Sequence, residues 1–168
     1  MTETSRNYLR SKKSKKLVNF NYEYIPSVNL FVEDNLYTYL EEYGEDKFVF
    51  NPLARDCSFN LDPYWVGICI KNIVNNAIDH GELPISVTLR TTLKGDLEIT
   101  VQDSGELLSN DLESITGEFV KGNKSTGTGL GLNIVKNVID EMNGELKLET
   151  NPTRFIITIK NRKGVENE

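Results

Sequence analysis

One histidine, one tryptophan, two cysteines and no long apolar run set the first limits on this 168-residue chain. Cys57, Cys69 and His80 cannot assemble a metal cluster at any familiar zinc spacing. Two cysteines in a chain this long are not needed as a staple. Both are expected reduced, as small apolar residues, Cys57 in a strand and Cys69 on a buried helix face. The longest apolar run, around Trp65 to Ile70, stops at Lys71, short of the roughly 18 residues of a membrane span. The polar, basic amino terminus has no apolar stretch behind it, so no signal peptide is visible, and a membrane-anchored parent stays open. An excess of positive charge is lacking too. A net charge of -6 and a pI near 5.0 argue against nucleic-acid binding and against contact with acidic membranes. No internal repeat occurs, and the only biased stretch is "RSKKSKK" at 10–16, read as part of a solvated tail.

What remains is 38% hydrophobic and 26% charged, ordinary for one domain with a real core. From Pro26 a helix is predicted over Val28 to Tyr43, with Leu30, Phe31, Leu36, Tyr39 and Leu40 as its apolar side. "KFVFN" and "RDCSF" read as short strands. Asp62-Pro63 opens the next helix as a cap followed by proline at the first position, and Val66, Ile70, Ile73 and Ala77 recur at helical spacing until Gly81. "PISVTLRTTL" and "DLEITVQD" alternate with period two around the turn Lys94-Gly95. A helix over about 129–142 and two closing strands, "ELKLET" and "RFIITIK", complete the pattern. Hairpin-like pairs among helices imply an α/β two-layer sandwich: a mixed, mostly antiparallel sheet with three main helices on one face. The irregular stretch 104–128 is longer than a connection needs, as functional lids or disordered segments are.

Three places carry residues that structure alone does not require. Asn72 and Asn76 are four apart on one helix face, with Asn75 and Asp79 beside them. Asparagine is a mediocre helix former, but its carboxamide oxygen can ligate magnesium and its nitrogen can donate to phosphate. A plain solvated face is the competing reading. Asp103 shares strand parity with Leu97, Ile99 and Val101, so it points inward, where an acid needs donors. Gly105 beside it permits close approach, which suits a planar, amine-bearing ligand; a turn-capping acid is the alternative. "TGTGLGLNIVK" places Gly127, Gly129 and Gly131 at a helix amino terminus, where free amides and the dipole favour phosphate.

In this order the segments resemble the GHKL, or Bergerat-fold, family of histidine kinases, gyrase-type topoisomerases, MutL and Hsp90. "NIVNNAIDHG" is similar to its N box, "DSG" to its first glycine box, "GTGLGLNIVK" to its second, and "EFVKG" at 118–122 to its phenylalanine box. The resemblance covers about residues 28–160, with 1–25 as tail or linker, 26–162 as the catalytic ATP-binding domain and 163–168 as a tail. It implies ATP and Mg2+ as ligands. Asp103 would accept from the adenine amine, and Gly105 would let the purine lie on the backbone. Asn76 with Asn72 would bind magnesium, and Gly127, Thr128, Gly129, Leu130 and Gly131 would meet the phosphates. Phe119 would anchor the flexible ATP lid, and Lys121 or Lys124 would neutralise the terminal phosphate; Asn72, Asn76 and Lys121 are the implied catalytic group.

Hydrolase members of the family carry a glutamate four residues before the magnesium asparagine. Asn72 stands there instead, the histidine-kinase pattern. The implied function is that of a sensor histidine kinase's cytoplasmic catalytic domain, donating the γ-phosphate to a histidine on a separate dimerisation domain. A response regulator receiver domain would follow as partner. The alternatives are a nucleotide-binding scaffold without kinase activity and an ATP hydrolase. Three departures stand out: Asp79 where the N box has lysine, Leu107 where a glycine is usual, and Met142 in "MNG". His80 is given a structural or rim role.

Overall fold

Capping side chains decide where the long helices begin. In the computed structural model, which describes residues 19–105 and 130–162, strand β1 (Glu23–Ile25) leads into helix α1 (Val28–Tyr43). Ser27 Oγ accepts from Leu30 N–H at 3.1 Å and so fills one of the helix's orphan donors. The same hydroxyl donates to Asp56, whose other carboxylate oxygen accepts from the amides of Asn29 and Cys57. These bonds, the Ser27 hydroxyl first, hold the Asp56 carboxyl below its ordinary range. The buried line of α1 is Val28, Val32 and Leu36, flanked by half-buried Phe31, Tyr39 and Leu40. Leu30, expected on the apolar side, is 60% exposed. Leu30 lies two residues from Val28, roughly 200° around the helix, so burying the Val28–Val32–Leu36 line turns it outward.

Strand β2 (Phe48–Asn51) follows, then β3 (Phe59–Leu61). The strand expected at "RDCSF" therefore starts only at its last residue, because antiparallel pairing with β1 sets its position, Ile25 opposite Phe59 and Glu23 opposite Leu61. β1 itself lies within the stretch read as tail. Cys57 sits just ahead of β3 rather than in a strand.

Helix α2 (Pro63–His80) begins as its sequence predicts. Asp62 is buried; one oxygen accepts from Trp65 N–H at 3.0 Å and the other from Asn21 N–H at 2.6 Å. Val66, Ile70, Ile73 and Ala77 are buried, together with Cys69. Burial pushes the Cys69 thiol up to about 12. Neither cysteine is in a disulfide.

Strands β4 (Ile85–Thr91) and β5 (Leu97–Gln102) form the expected hairpin, Gly95 taking a φ of 84° that favours glycine. Helix α3 (Leu130–Glu141) buries Ile134, Val135, Val138 and Ile139, with Met142 just past its end. It stops in a Schellman arrangement: Asn143 is left-handed at φ 59°, its amide reaches the Asp140 carbonyl, and the Gly144 amide reaches the Ile139 carbonyl at 2.8 Å. Strands β6 (Glu145–Glu149) and β7 (Arg154–Ile159) close the chain's fold.

The main sheet has the order β2-β4-β5-β7-β6. β2 runs parallel to β4, and the other three pairs are antiparallel. Ile85, Val87 and Leu89, then Leu97, Ile99 and Val101, then Phe155, Ile157 and Ile159 all face one buried side. α2 packs on β5, α3 on β6 and β7, and α1 against α2 and β2, so the three helices share that side. This is the two-layer sandwich. At the edge, β6 turns Glu145, Lys147 and Glu149 to solvent. Among the described residues no helix is long and apolar enough to cross a membrane.

Candidate functional site

Helix α2 is the element on which the site is hung, because both of its neighbours meet its polar residues. Asn72 is half-buried, and its Nδ2 donates to the Ile68 carbonyl one turn back at 2.8 Å. That bond leaves Oδ1 as the presented atom, and it faces α3. A methyl group added at Gly131 would stand 3.0 Å from Asn72 Oδ1, so the asparagine side chain would have to give by a few tenths of an ångström. The bare backbone of Gly131 is what lets the first turn of α3 come against the asparagine. Asn76, one turn further along α2, is half-buried and makes no side-chain hydrogen bond among the described residues. Asn75 belongs elsewhere: Tyr39 Oη donates to its Oδ1 at 2.7 Å, tying α1 to α2, with the Tyr39 ring stacked on Phe48. Burial and the neighbouring Tyr43 raise the Tyr39 phenol above its ordinary value. Asp79, His80 and Lys71 are exposed.

At the carboxyl end of α2 lies the second contact. Asp103, just past β5, points to the buried side as its strand parity predicts and is 5% exposed. Its Oδ1 accepts from the Gly105 amide at 2.6 Å. Its Oδ2 lies against the Cα of Gly81 and takes no hydrogen bond among the described residues. The Asp103–Gly105 turn is braced from both sides. Ser104 donates from its amide to the Glu82 carbonyl at 2.8 Å and from its hydroxyl to the Pro84 carbonyl at 2.9 Å. Across the sheet the buried Thr153 accepts from the Asp103 amide and donates to the Gly105 carbonyl from both its amide and its hydroxyl. Sequence reasoning takes Gly81 only as a helix stop and passes over Thr153, since no local pattern marks a residue whose partner lies about fifty positions away.

The geometry thus brings Asn72 together with Gly131, and Asp103 with Gly105, with α2 spanning the two contacts. Leu130 opens α3. Phe119, Lys121, Lys124, Gly127, Thr128 and Gly129 lie outside the described residues. Among the described residues, no group of three or more His, Cys, Asp or Glu could hold a metal ion.

The family model of the histidine kinase-, DNA gyrase B- and HSP90-like ATPases matches residues 61–163, which include α2, the Asp103 turn and α3. The chain belongs to this ATPase family. A relative of this GHKL domain, the sensor histidine kinase VxrA of Vibrio cholerae, is 32% identical over 159 residues, 95% of this chain and 29% of its own length. The sensor protein EvgS of Escherichia coli K12 is 32% identical over 111 residues, 59% of this chain and 9% of its own. The chain thus spans less than a third of either relative. Among solved structures, the catalytic domain of histidine kinase ThkA has the same fold at a TM-score of 0.71 and 23% identity, over 84% of this chain and 97% of that one. The full-length kinase ShkA in complex with AMPPNP does so at 0.72 and 16%, over 91% of this chain and 33% of that one.

Proposed function

We propose that this GHKL domain binds ATP with Mg2+ between the Asp103 turn and the entrance of α3, and donates the γ-phosphate to a histidine on a separate dimerisation domain. One observation carries the nucleotide reading. Asp103 is a buried acid with one oxygen held by Gly105 and the other left to accept, the arrangement an adenine amine requires. The fit continues on α2, where Asn72 presents an oxygen beside glycine backbone and Asn76 has its carboxamide free among the described residues. These two would hold the magnesium, which supplies charge neutralisation between the phosphates. Gly127 to Gly131 would offer amides at the helix amino terminus, Phe119 would anchor the lid, and Lys121 or Lys124 would meet the terminal phosphate.

Phosphoryl transfer asks mainly for positioning and electrostatic stabilisation. The γ-phosphorus–oxygen bond breaks with ADP as leaving group, and a nitrogen–phosphorus bond forms on the acceptor imidazole. Asn72 stands at the position of the glutamate that activates water in the hydrolase members, which supports kinase over hydrolase. The names of the relatives support the same reading, and a receiver domain as later partner and a cytoplasmic location belong to the proposal.

One observation favours a second reading. The exposed Asp79, where the family has lysine, adds negative charge on the phosphate-facing helix, as a nucleotide-sensing module without transfer would tolerate. Radiolabelled ATP with a separately supplied dimerisation domain distinguishes them. Acid-labile label on that domain supports the kinase, binding without label selects the sensing module, and absence of ATP binding removes both.

A further inference from the structure

Gly81 ends α2 at a φ of -100°, a value open to any residue, so backbone conformation does not explain the missing side chain. Space does. A Cβ at this position would run into Cγ and Oδ2 of Asp103 and come within 2.6 Å of the Ala77 carbonyl. The residue cannot retreat, because its own amide donates to that carbonyl at 2.8 Å and the following Glu82 and Pro84 are bonded to Ser104. Asp103 cannot retreat either: its backbone is held to Thr153 and its Oδ1 to the Gly105 amide. The second carboxylate oxygen therefore has one place to go, over the bare Cα of Gly81.

From this packing we infer that Gly81 is a positioning residue: its missing Cβ fixes the aim of Asp103 Oδ2 and thereby the choice of a 6-amino purine over purines without that amine. The inference rests on the reading that Asp103 receives the base. It adds a residue that never touches the nucleotide but decides which base is accepted. A methyl group here takes the place that Oδ2 occupies and so forces that oxygen from its position.

The test compares the 168-residue chain with its Gly81→Ala variant. Affinities are measured by titration calorimetry for ATP-Mg2+ and for purine riboside triphosphate-Mg2+, which lacks the amine. The unaltered chain prefers ATP by on the order of tenfold, the worth of one hydrogen bond to a charged acceptor. Gly81→Ala brings the ratio close to one while the affinity for the amine-free analogue changes less than about twofold. Gly144→Ala is the control, since a Cβ there also clashes, with the Thr158 carbonyl, away from Asp103. It lowers the melting temperature and keeps the preference for ATP. Should Gly81→Ala not fold, Asp103→Glu carries the test, because its extra methylene has no room beside Gly81 and the preference is again lost.

Retention of the tenfold preference in Gly81→Ala, or in Asp103→Glu should Gly81→Ala not fold, overturns the inference, as does equal weakening of both nucleotides by Gly81→Ala. If the unaltered chain binds neither nucleotide, or binds both alike, the reading of Asp103 itself is overturned, and the inference falls with it.

Discussion

Replacing Asp103 by asparagine changes one atom and reverses the sense of one contact. The Gly105 amide, 2.6 Å from Oδ1, accepts no substitute for an oxygen, so the carboxamide settles with its oxygen there. Its NH2 then occupies the place of Oδ2 beside Gly81, and a donor faces the adenine amine where an acceptor stood. A hydrogen bond to a charged group contributes about 1.5–3 kcal/mol. At about 1.4 kcal/mol per tenfold, the ATP dissociation constant rises about 10- to 100-fold. The fold keeps its stability, since the substitution conserves shape and the Gly105 and Thr153 bonds persist. GTP, whose base offers a carbonyl at the equivalent position, gains relative to ATP. Calorimetric titration of both nucleotides with Mg2+, beside thermal melts, reads all three effects. An unchanged ATP constant in a variant that melts normally refutes the base-reading role of Asp103.

Gly131→Ala sets a methyl group 3.0 Å from Asn72 Oδ1 and pushes that carboxamide oxygen off its place. ATP-Mg2+ binding weakens at least about tenfold by calorimetry, at the level of one lost charge-assisted contact. Asp62→Ala removes the cap of α2 and the acceptor of Asn21, costing about 2 kcal/mol in urea unfolding. Asp56, its carboxyl held low by Ser27 and the amides of Asn29 and Cys57, contributes stability that is present above the ordinary value of 3.8 and lost as pH falls through the lower native value. Asp56→Asn therefore flattens the acid limb of a stability-against-pH curve and leaves its slope near pH 7 unchanged.

Much of this architecture is legible in the chain because it is written in short-range chemistry. Asp62-Pro63 marks the start of α2, and Val66, Ile70, Ile73 and Ala77 mark its buried face with a period that a helix alone satisfies. Alternation fixes the β4–β5 hairpin, and the same parity places Asp103 inward. The misses share a different cause. β3 lies where β1 pairs with it, not where its own residues favour extension, and Leu30 faces outward because the buried line of α1 runs through Val28, Val32 and Leu36. At the site, Asn72 could be picked out as one of three asparagines within five positions of one helix, where asparagine is a mediocre helix former. That Asn75 is spent on Tyr39 while Asn72 meets Gly131 depends on which helices lie on either side, a tertiary fact. The bracing of Asp103 by Thr153 is of the same kind.

The charged teeth of β6 have a consequence for self-association. Glu145, Lys147 and Glu149 line the open margin of the sheet, with Lys147 3.7 Å from Glu145 and Arg154 3.5 Å from Glu149. A second copy offering its own β6 there in antiparallel fashion would bring like charges face to face and strip water from ion pairs already made. Among the described residues no further strand pairs with that margin, and its three charged side chains disfavour edge-to-edge pairing with another copy.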